Sequence, residues 1–307
     1  MTADPFEHTA LHYSGHREYL EGTVPFIEEA LALDEPVAVA VPGPKLELLQ
    51  GSLGAATARV HTLDMSAIGA NPAGIIPNVL RAFADCRPGQ RMRIVGEPIW
   101  PSRTAAEYPA CAQHEALVNR AFAGRDIAAL CPYDIDGLDE RVIADSLLTH
   151  PLLKSRDGRR ASDAYDPDHI VTVYNQPLQD RPWTAIERAV DRDTIDNARW
   201  FTTAYGRNAG LTATRLIDLE IAVTELITNS VAHGGGTGLL RIWTEEDQLV
   251  CEVSDTGHLT DPLAGRLPVD PDRAHGRGLV LVNQVVDLLR TYTSARGTTM
   301  RIYLRLN

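Results

Sequence analysis

Four short pieces in the last third of the chain, Glu225-Leu-Ile-Thr-Asn229, Asp255-Thr-Gly257, Gly276-Arg-Gly278 and Gly297-Thr-Thr299, constrain its fold most, because each marks the edge of a different element. Before and through the first, Leu216, Leu219, Val223, Leu226 and Ile227 recur at helical spacing and predict a helix over about residues 213–232. Thr212 suits its N-cap, and the glycines from Gly234 end it. Residues 239–244 and 248–254 read as strands turned by Glu245-Glu246-Asp247, with Leu249, Cys251 and Val253 facing in and Val250 and Glu252 facing out. The third piece opens an apolar helix through Leu281, Val282, Val285, Val286 and Leu289. The fourth enters a closing strand, where Met300, Ile302 and Leu304 alternate with Arg301, Tyr303 and Arg305. Asp193 suits the N-cap of an earlier helix through Ile195, Ala198, Phe201 and Tyr205, ending near Gly210.

Each edge carries chemistry. Glu225 and Asn229 lie one helical turn apart on one stripe, so a carboxylate and a carboxamide face the same space. An Asn229 oxygen suits Mg²⁺, which takes one or two protein oxygens beside phosphates and water. Glu225 beside it is the candidate base for a hydroxyl attacking a terminal phosphate. Alone, such a pair equally describes a solvated helix face. Asp255, where a strand ends, can accept from the exocyclic amine of adenine, and Gly257 lets a base approach the backbone; alone, Asp-x-Gly is a turn. Gly276 and Gly278 leave the first amides of a helix exposed at its positive end, a cradle for phosphate to which Arg277 adds a charge.

In this order the four pieces resemble the N, G1, G2 and G3 boxes of the ATPase fold shared by gyrase B, histidine kinases and MutL. The wording Glu225-Leu-Ile-Thr-Asn229-Ser-Val-Ala-His233-Gly234 and Gly276-Arg-Gly-Leu-Val-Leu-Val-Asn283 most resembles the anti-sigma factor serine/threonine kinases of bacterial partner switching. The resemblance covers roughly residues 185–307. It implies a two-layer α/β sandwich that binds ATP and Mg²⁺: Asn229 at the metal, Glu225 as base, Asp255 and Gly257 at adenine, Gly276, Arg277 and Gly278 in the lid, and Thr298 and Thr299 at the nucleotide. In that family a first helix helps grip a sigma factor or a twin subunit, which implies a possible homodimer. One departure is plain: Asp255-Thr-Gly257 runs into His258-Leu-Thr-Asp261-Pro262 without a further glycine, which implies a shorter lid.

The first half is a different unit. Apolar runs at residues 36–41, 59–63, 92–95 and 127–130 alternate with helical segments around 17–33, 75–85, 105–123 and 138–148, predicting a three-layer α/β domain with a mostly parallel sheet. Such sheets bind ligands beyond the carboxyl ends of their strands. Pro42-Gly-Pro-Lys45 lacks the spacing of a phosphate-binding loop, which argues against ATP hydrolysis there. The wording His8-Thr-Ala-Leu11, Glu18-Tyr-Leu-Glu-Gly-Thr-Val-Pro-Phe26, Arg93-Ile-Val-Gly-Glu-Pro-Ile-Trp100 and Cys131-Pro-Tyr-Asp134 resembles the MEDS sensory domain, a degenerate relative of RecA-like ATPases. That implies a small-molecule signal and names none. His8, Glu97, Trp100, His114 and Tyr133 are the candidate pocket residues. His8, His12 and His16 fall at four-residue spacing, as on one helical face, and Cys111-x-x-His114-Glu115 offers half a metal site; no second cysteine pair completes structural zinc.

The expected division is a sensory domain over residues 6–160, a linker or ordered strap over 161–185, and an ATPase domain over 186–307. Net charge is −12, with 15 basic against 22 acidic residues through Tyr165 and 14 against 19 after it, so neither half suits nucleic acid. Four dispersed cysteines suit a reducing compartment. The absence of a leader-like segment or a long apolar run predicts a cytoplasmic location without a membrane. The reading is therefore a sensor-controlled kinase that holds a sigma factor and phosphorylates its anti-sigma antagonist. Two alternatives stay open. A soluble sensor histidine kinase needs a phosphoacceptor on a dimerising helix, but the linker offers only His169, without heptads. A non-catalytic module would hold ATP and act by sequestration alone.

Overall fold

The computed structural model describes residues 4–268 and 276–306. The chain divides into two compact units, Met1–Tyr174 and Asn175–Asn307.

In the first unit, β1 (Glu7–Tyr13), β2 (Val37–Val41), β3 (His61–Asp64), β4 (Met92–Gly96), β5 (Ile127–Asp134), β6 (Leu152–Ser155) and β7 (Gly158–Ala161) form one sheet in the order β3-β2-β4-β5-β1-β6-β7. All neighbours are parallel except the β6–β7 hairpin. The central strands read as continuous apolar runs because both faces are covered: Val37 to Val41 are all buried. The covering helices are α1 (Gly15–Ala32), α2 (Gly43–Leu53), the short α3 (Met65–Ile68), α4 (Pro72–Ile75) and α5 (Arg81–Asp85), then α6 (Tyr108–Ala121) and α7 (Glu140–Thr149). The histidines at four-residue spacing do not share a helix: His8 and His12 lie on β1 and only His16 on α1. Four residues apart also means the same face on a strand, which is why the spacing misleads.

Residues expected in the linker are ordered. The β6–β7 hairpin extends the sheet to Ala161, and α8 (Pro167–Val173) buries Ile170, with Tyr174 beyond it, against Ala112 and Ala116 of α6. Asn175 and Gln179 belong to the second unit, where Asn175 exchanges hydrogen bonds with the backbone of Thr293 and the Gln179 carbonyl accepts from Arg301.

The second unit is an antiparallel sheet of β8 (Ile186–Asp191), β9 (Thr237–Glu245), β10 (Gln248–Asp255), β11 (Leu288–Ser294) and β12 (Gly297–Arg305), ordered β11-β12-β10-β9-β8, with α9 (Ile195–Ala209), α10 (Ala213–His233) and α11 (Gly278–Val285). Leu219, Val223, Leu226 and Ile227 of α10 pack with Leu240, Ile242, Leu249, Cys251 and Ile302 of the sheet. Thr212 caps α10 as its pattern predicts, accepting from the Arg215 amide at 3.3 Å; α9 begins after Thr194 rather than Asp193.

Two expectations change. The final helix stops at Val285, and Val286 turns extended, so Leu289 belongs to β11. Val250 and Glu252, expected outward, are buried, because Trp243 lies across from Val250 and Arg301 packs over that ring, 5.1 Å away, while pairing with Glu252.

Candidate functional site

In the second unit the chemistry-bearing edges converge. A side chain at Gly278 would put its Cβ 2.3 Å from Glu225 Oε2 and 3.6 Å from Asn229 Nδ2, so α11 starts directly against the Glu225–Asn229 stripe of α10. At the other end, Asp255 finishes β10 opposite Thr298. Its Oδ1 accepts from the Gly257 amide at 2.8 Å, which leaves the second carboxylate oxygen for a ligand. The chain closes tightly there: a Cβ at Gly234 would meet Asp255 Cγ at 2.3 Å, and one at Gly257 would meet the His233 carbonyl oxygen at 2.5 Å. Thr298 Oγ1 donates to the Gly257 carbonyl at 2.9 Å and accepts from the Leu259 amide at 3.2 Å, fixing the turn after β10.

Between these ends lies a cleft of about 760 Å³. Asn229, Asp255, Gly257, Gly276, Gly278 and Thr298 line it with the apolar Leu226, Val253, Leu279 and Met300. Apolar walls with a few polar groups at the ends suit a planar base with a charged tail.

In the first unit the candidate pocket residues do not share one cavity. His8 and His114 line a small apolar cavity with Phe6, Met65, Ile94 and Phe122. Glu97, fully buried just after β4, pairs with Lys45, which also reaches the Tyr13 hydroxyl. Burial pushes the Glu97 carboxyl up to about 7 against the pull of Lys45. Lys45 is thus committed to a carboxylate, and Gly43 faces Asp64, so Pro42-Gly-Pro-Lys45 forms no anion cradle. Trp100 lies under the Arg103 guanidinium, 3.8 Å from its centroid. Tyr133 is buried edge-on to His12 and His150.

Residues 7–151 match the family model of the methanogen/methylotroph, DcmR sensory domain (MEDS), and residues 189–304 match that of the histidine kinase-like ATPase domain. The chain carries a MEDS domain followed by a histidine kinase-like ATPase domain. No curated protein matches it. Among solved structures it is similar to the RsbU and RsbW domains of a Mycobacterium tuberculosis protein, at 20% identity and a TM-score of 0.32, covering 41% of this chain and 33% of that one. The chain thus spans about a third of that structure's length. It is also similar to the histidine kinase domain of the E. coli osmosensor EnvZ, at 20% identity and a TM-score of 0.25, covering 43% of this chain and 93% of that one. A third likeness is to the Acinetobacter baumannii histidine kinase AdeS, at 15% identity and a TM-score of 0.24, covering 65% and 95%.

An ATPase domain of this kind implies ATP binding, usually with Mg²⁺. The residues present fit that group: the Asn229 carboxamide, the Asp255 carboxylate and the backbone at Gly257, Gly276 and Gly278 line one cleft with apolar walls between them, and Ser230 is a further lining residue. Ser230 escaped the sequence reading, although its place beside Asn229 was the available signal. Three expected residues sit apart from the cleft wall. Glu225 lies behind it, against the start of α11 at Gly278. Arg277 is exposed at the N-cap of α11, and Thr299, the alternate position on the β12 pleat, pairs with Ser254. His275, quoted with the glycine-rich piece, lies outside the described residues.

Proposed function

We propose that the ATPase domain is a Mg²⁺-dependent serine/threonine protein kinase of the anti-sigma type, governed by the MEDS domain. The observation that carries this reading is the meeting of Glu225 and Asn229 with the start of α11 at Gly278. Bound ATP supplies the transferable phosphoryl group. Asp255 accepts from the base amine at the inner end, Leu226, Val253 and Met300 exclude water from the ring faces, and Asn229 offers its oxygen to Mg²⁺. Glu225 takes the proton of the attacking serine or threonine hydroxyl. Gly276 and Gly278 turn backbone amides toward the phosphates.

The partners are a sigma factor and an anti-sigma antagonist, with a second copy of the chain as a further partner of the same face. In support, Trp200 on α9 is 72% exposed and Ile217 on α10 is 59% exposed, apolar surface that a protein partner would cover. Phosphate adds about 1.5–2 negative charges to the antagonist and releases it from such a surface. A small-molecule signal in the MEDS domain shifts the balance by binding one output state better. The setting is the cytoplasm; no described helix is long and apolar enough to cross a membrane.

A histidine-kinase reading is less favoured. The 15 residues of α9, which leads into the ATPase core, include no histidine, and His169 sits on a helix of only seven residues. The test is phosphate transfer from labelled ATP to proteins co-purifying with the chain, run with wild type and Glu225→Ala. The kinase reading expects acid-stable phosphoserine or phosphothreonine on a partner, lost in the variant while nucleotide binding persists. Acid-labile label on the chain itself, or partner regulation indifferent to Glu225→Ala, contradicts it.

A further inference from the structure

Four side chains from distant parts of the first unit meet where no solvent reaches: His8 on β1, Glu115 on α6, Cys131 on β5 and His150 just after α7, with exposures of 0%, 1%, 6% and 0%. The fold explains the meeting. β1 and β5 run parallel with His8 opposite Ala129 and Ala10 opposite Cys131, so His8 and Cys131 are two steps apart on one sheet face.

The hydrogen bonds around the cluster settle which ring nitrogens carry protons. Asn119 donates through Nδ2 to the carbonyls of Glu115, Ala116 and Thr149, so its Oδ1, 3.1 Å from His8 Nδ1, must accept. His150 Nδ1 lies 3.1 Å from the Ser146 carbonyl, which can only accept. Each neutral imidazole is thereby held in the tautomer that leaves Nε2 bare, the outer-sphere arrangement usual for metal-binding histidines. Both bare nitrogens face Glu115 Oε2, at 3.2 and 3.3 Å, and His8 Nε2 is 3.4 Å from Cys131 Sγ. With both rings neutral, neither donates a proton to Glu115. A buried carboxylate facing two lone pairs is strongly unfavourable without a cation.

We propose that the first unit holds one divalent first-row transition metal ion, of the zinc class, between His8 Nε2, Glu115, Cys131 Sγ and His150 Nε2. All four donor atoms lie within 4.8 Å of one another. Metal–nitrogen and metal–sulfur bonds of about 2.0 and 2.3 Å set donor–donor edges of about 3.3–3.8 Å in a tetrahedron, close to the 3.2, 3.3 and 3.4 Å found along three of them. The charges also balance. The Cys131 thiol releases its proton to solvent on binding, and one thiolate with one carboxylate neutralises the dication. Imidazole with thiolate favours zinc-like ions over magnesium or calcium. The apolar cavity lined by Met65, Ile94 and Phe122 reaches His8, Glu115 and Cys131 and shields the donors from bulk water. Zinc spacing rules miss such a site because its four ligands come one at a time from separate elements.

The test uses the untagged full-length protein, with metal content measured by mass spectrometry and cobalt(II) substituted for the native ion. The proposal expects about one metal ion per chain, a thiolate-to-cobalt charge-transfer band lost in Cys131→Ser and kept in Cys111→Ser, and one sulfur with two imidazoles in X-ray absorption of the wild type. The absorption measurement needs no variant, so a Cys131→Ser protein that fails to fold does not blunt the test. Wild type that neither retains nor takes up metal, a band that survives Cys131→Ser, or a spectrum without sulfur overturns the proposal and leaves a buried network of protonated histidine and carboxylate.

Discussion

Gly278 and Glu225 are in contact across two helices: a Cβ on the glycine would lie 2.3 Å from the glutamate Oε2. A methyl group there must push the Glu225 carboxylate aside or lift the start of α11 from α10. Gly278→Ala is expected to lower ATP affinity at least about tenfold, measured by titration calorimetry, with an unchanged circular dichroism spectrum. Unaltered affinity would place the nucleotide elsewhere.

Asp255 tests the base end of the cleft. Its Oδ1 is occupied by the Gly257 amide, and the other oxygen is the one available to an exocyclic amine. Asp255→Asn keeps the turn bond and presents an amide donor to that amine. Affinity for ATP should fall by about 1.5–3 kcal/mol, and preference over GTP should shrink, in competition binding with labelled nucleotide.

Glu97 gives the first unit a pH dependence of definite sign. With burial raising its folded-state pKa to about 7 from the ordinary carboxylate value of 4.5, the folded unit binds a proton more tightly than the unfolded chain. This contribution is full below the unfolded value, is lost as pH rises from 4.5 to about 7, and is flat above. The loss is about 3 kcal/mol at most. Denaturant unfolding at pH 5 and pH 7.5 should give a larger difference for wild type than for Glu97→Gln; equal differences would contradict the assignment.

Glu252 binds the outer face of the ATPase sheet together. Its two oxygens take Arg241 at 2.9 Å and Arg301 at 2.7 Å, and Arg301 is only 5% exposed. Glu252→Ala strands a buried guanidinium and should destabilise the domain by about 3–5 kcal/mol. Glu252→Gln should cost less in the same chemical denaturation experiment.

Elements with a single buried stripe were legible in the sequence. α10 declares itself through Leu219, Val223 and Leu226; in the β9–β10 hairpin the face of Leu249, Cys251 and Val253 was legible, whereas burial of Val250 and Glu252 on the other face was not. β11 was hidden because the chain passes from α11 into it at Val286 with neither glycine nor proline to mark the break. β8 was hidden because Ile186 to Arg188 are exposed and alternate poorly. In the cleft, Asn229, Asp255 and the glycines were singled out by order and spacing, whereas Ser230, a lining residue one step beyond Asn229, was passed over. The meeting of His8 with Glu115, Cys131 and His150 is a product of parallel strand register and helix packing, which local periodicity does not encode.

Titration of the purified chain with ATP, in the presence and absence of Mg²⁺, tests the account most directly. Wild type should bind ATP with an affinity that rises when Mg²⁺ is added, and Asn229→Ala should abolish the magnesium-dependent gain. No heat of binding under either condition, or the same magnesium response in Asn229→Ala, would contradict it.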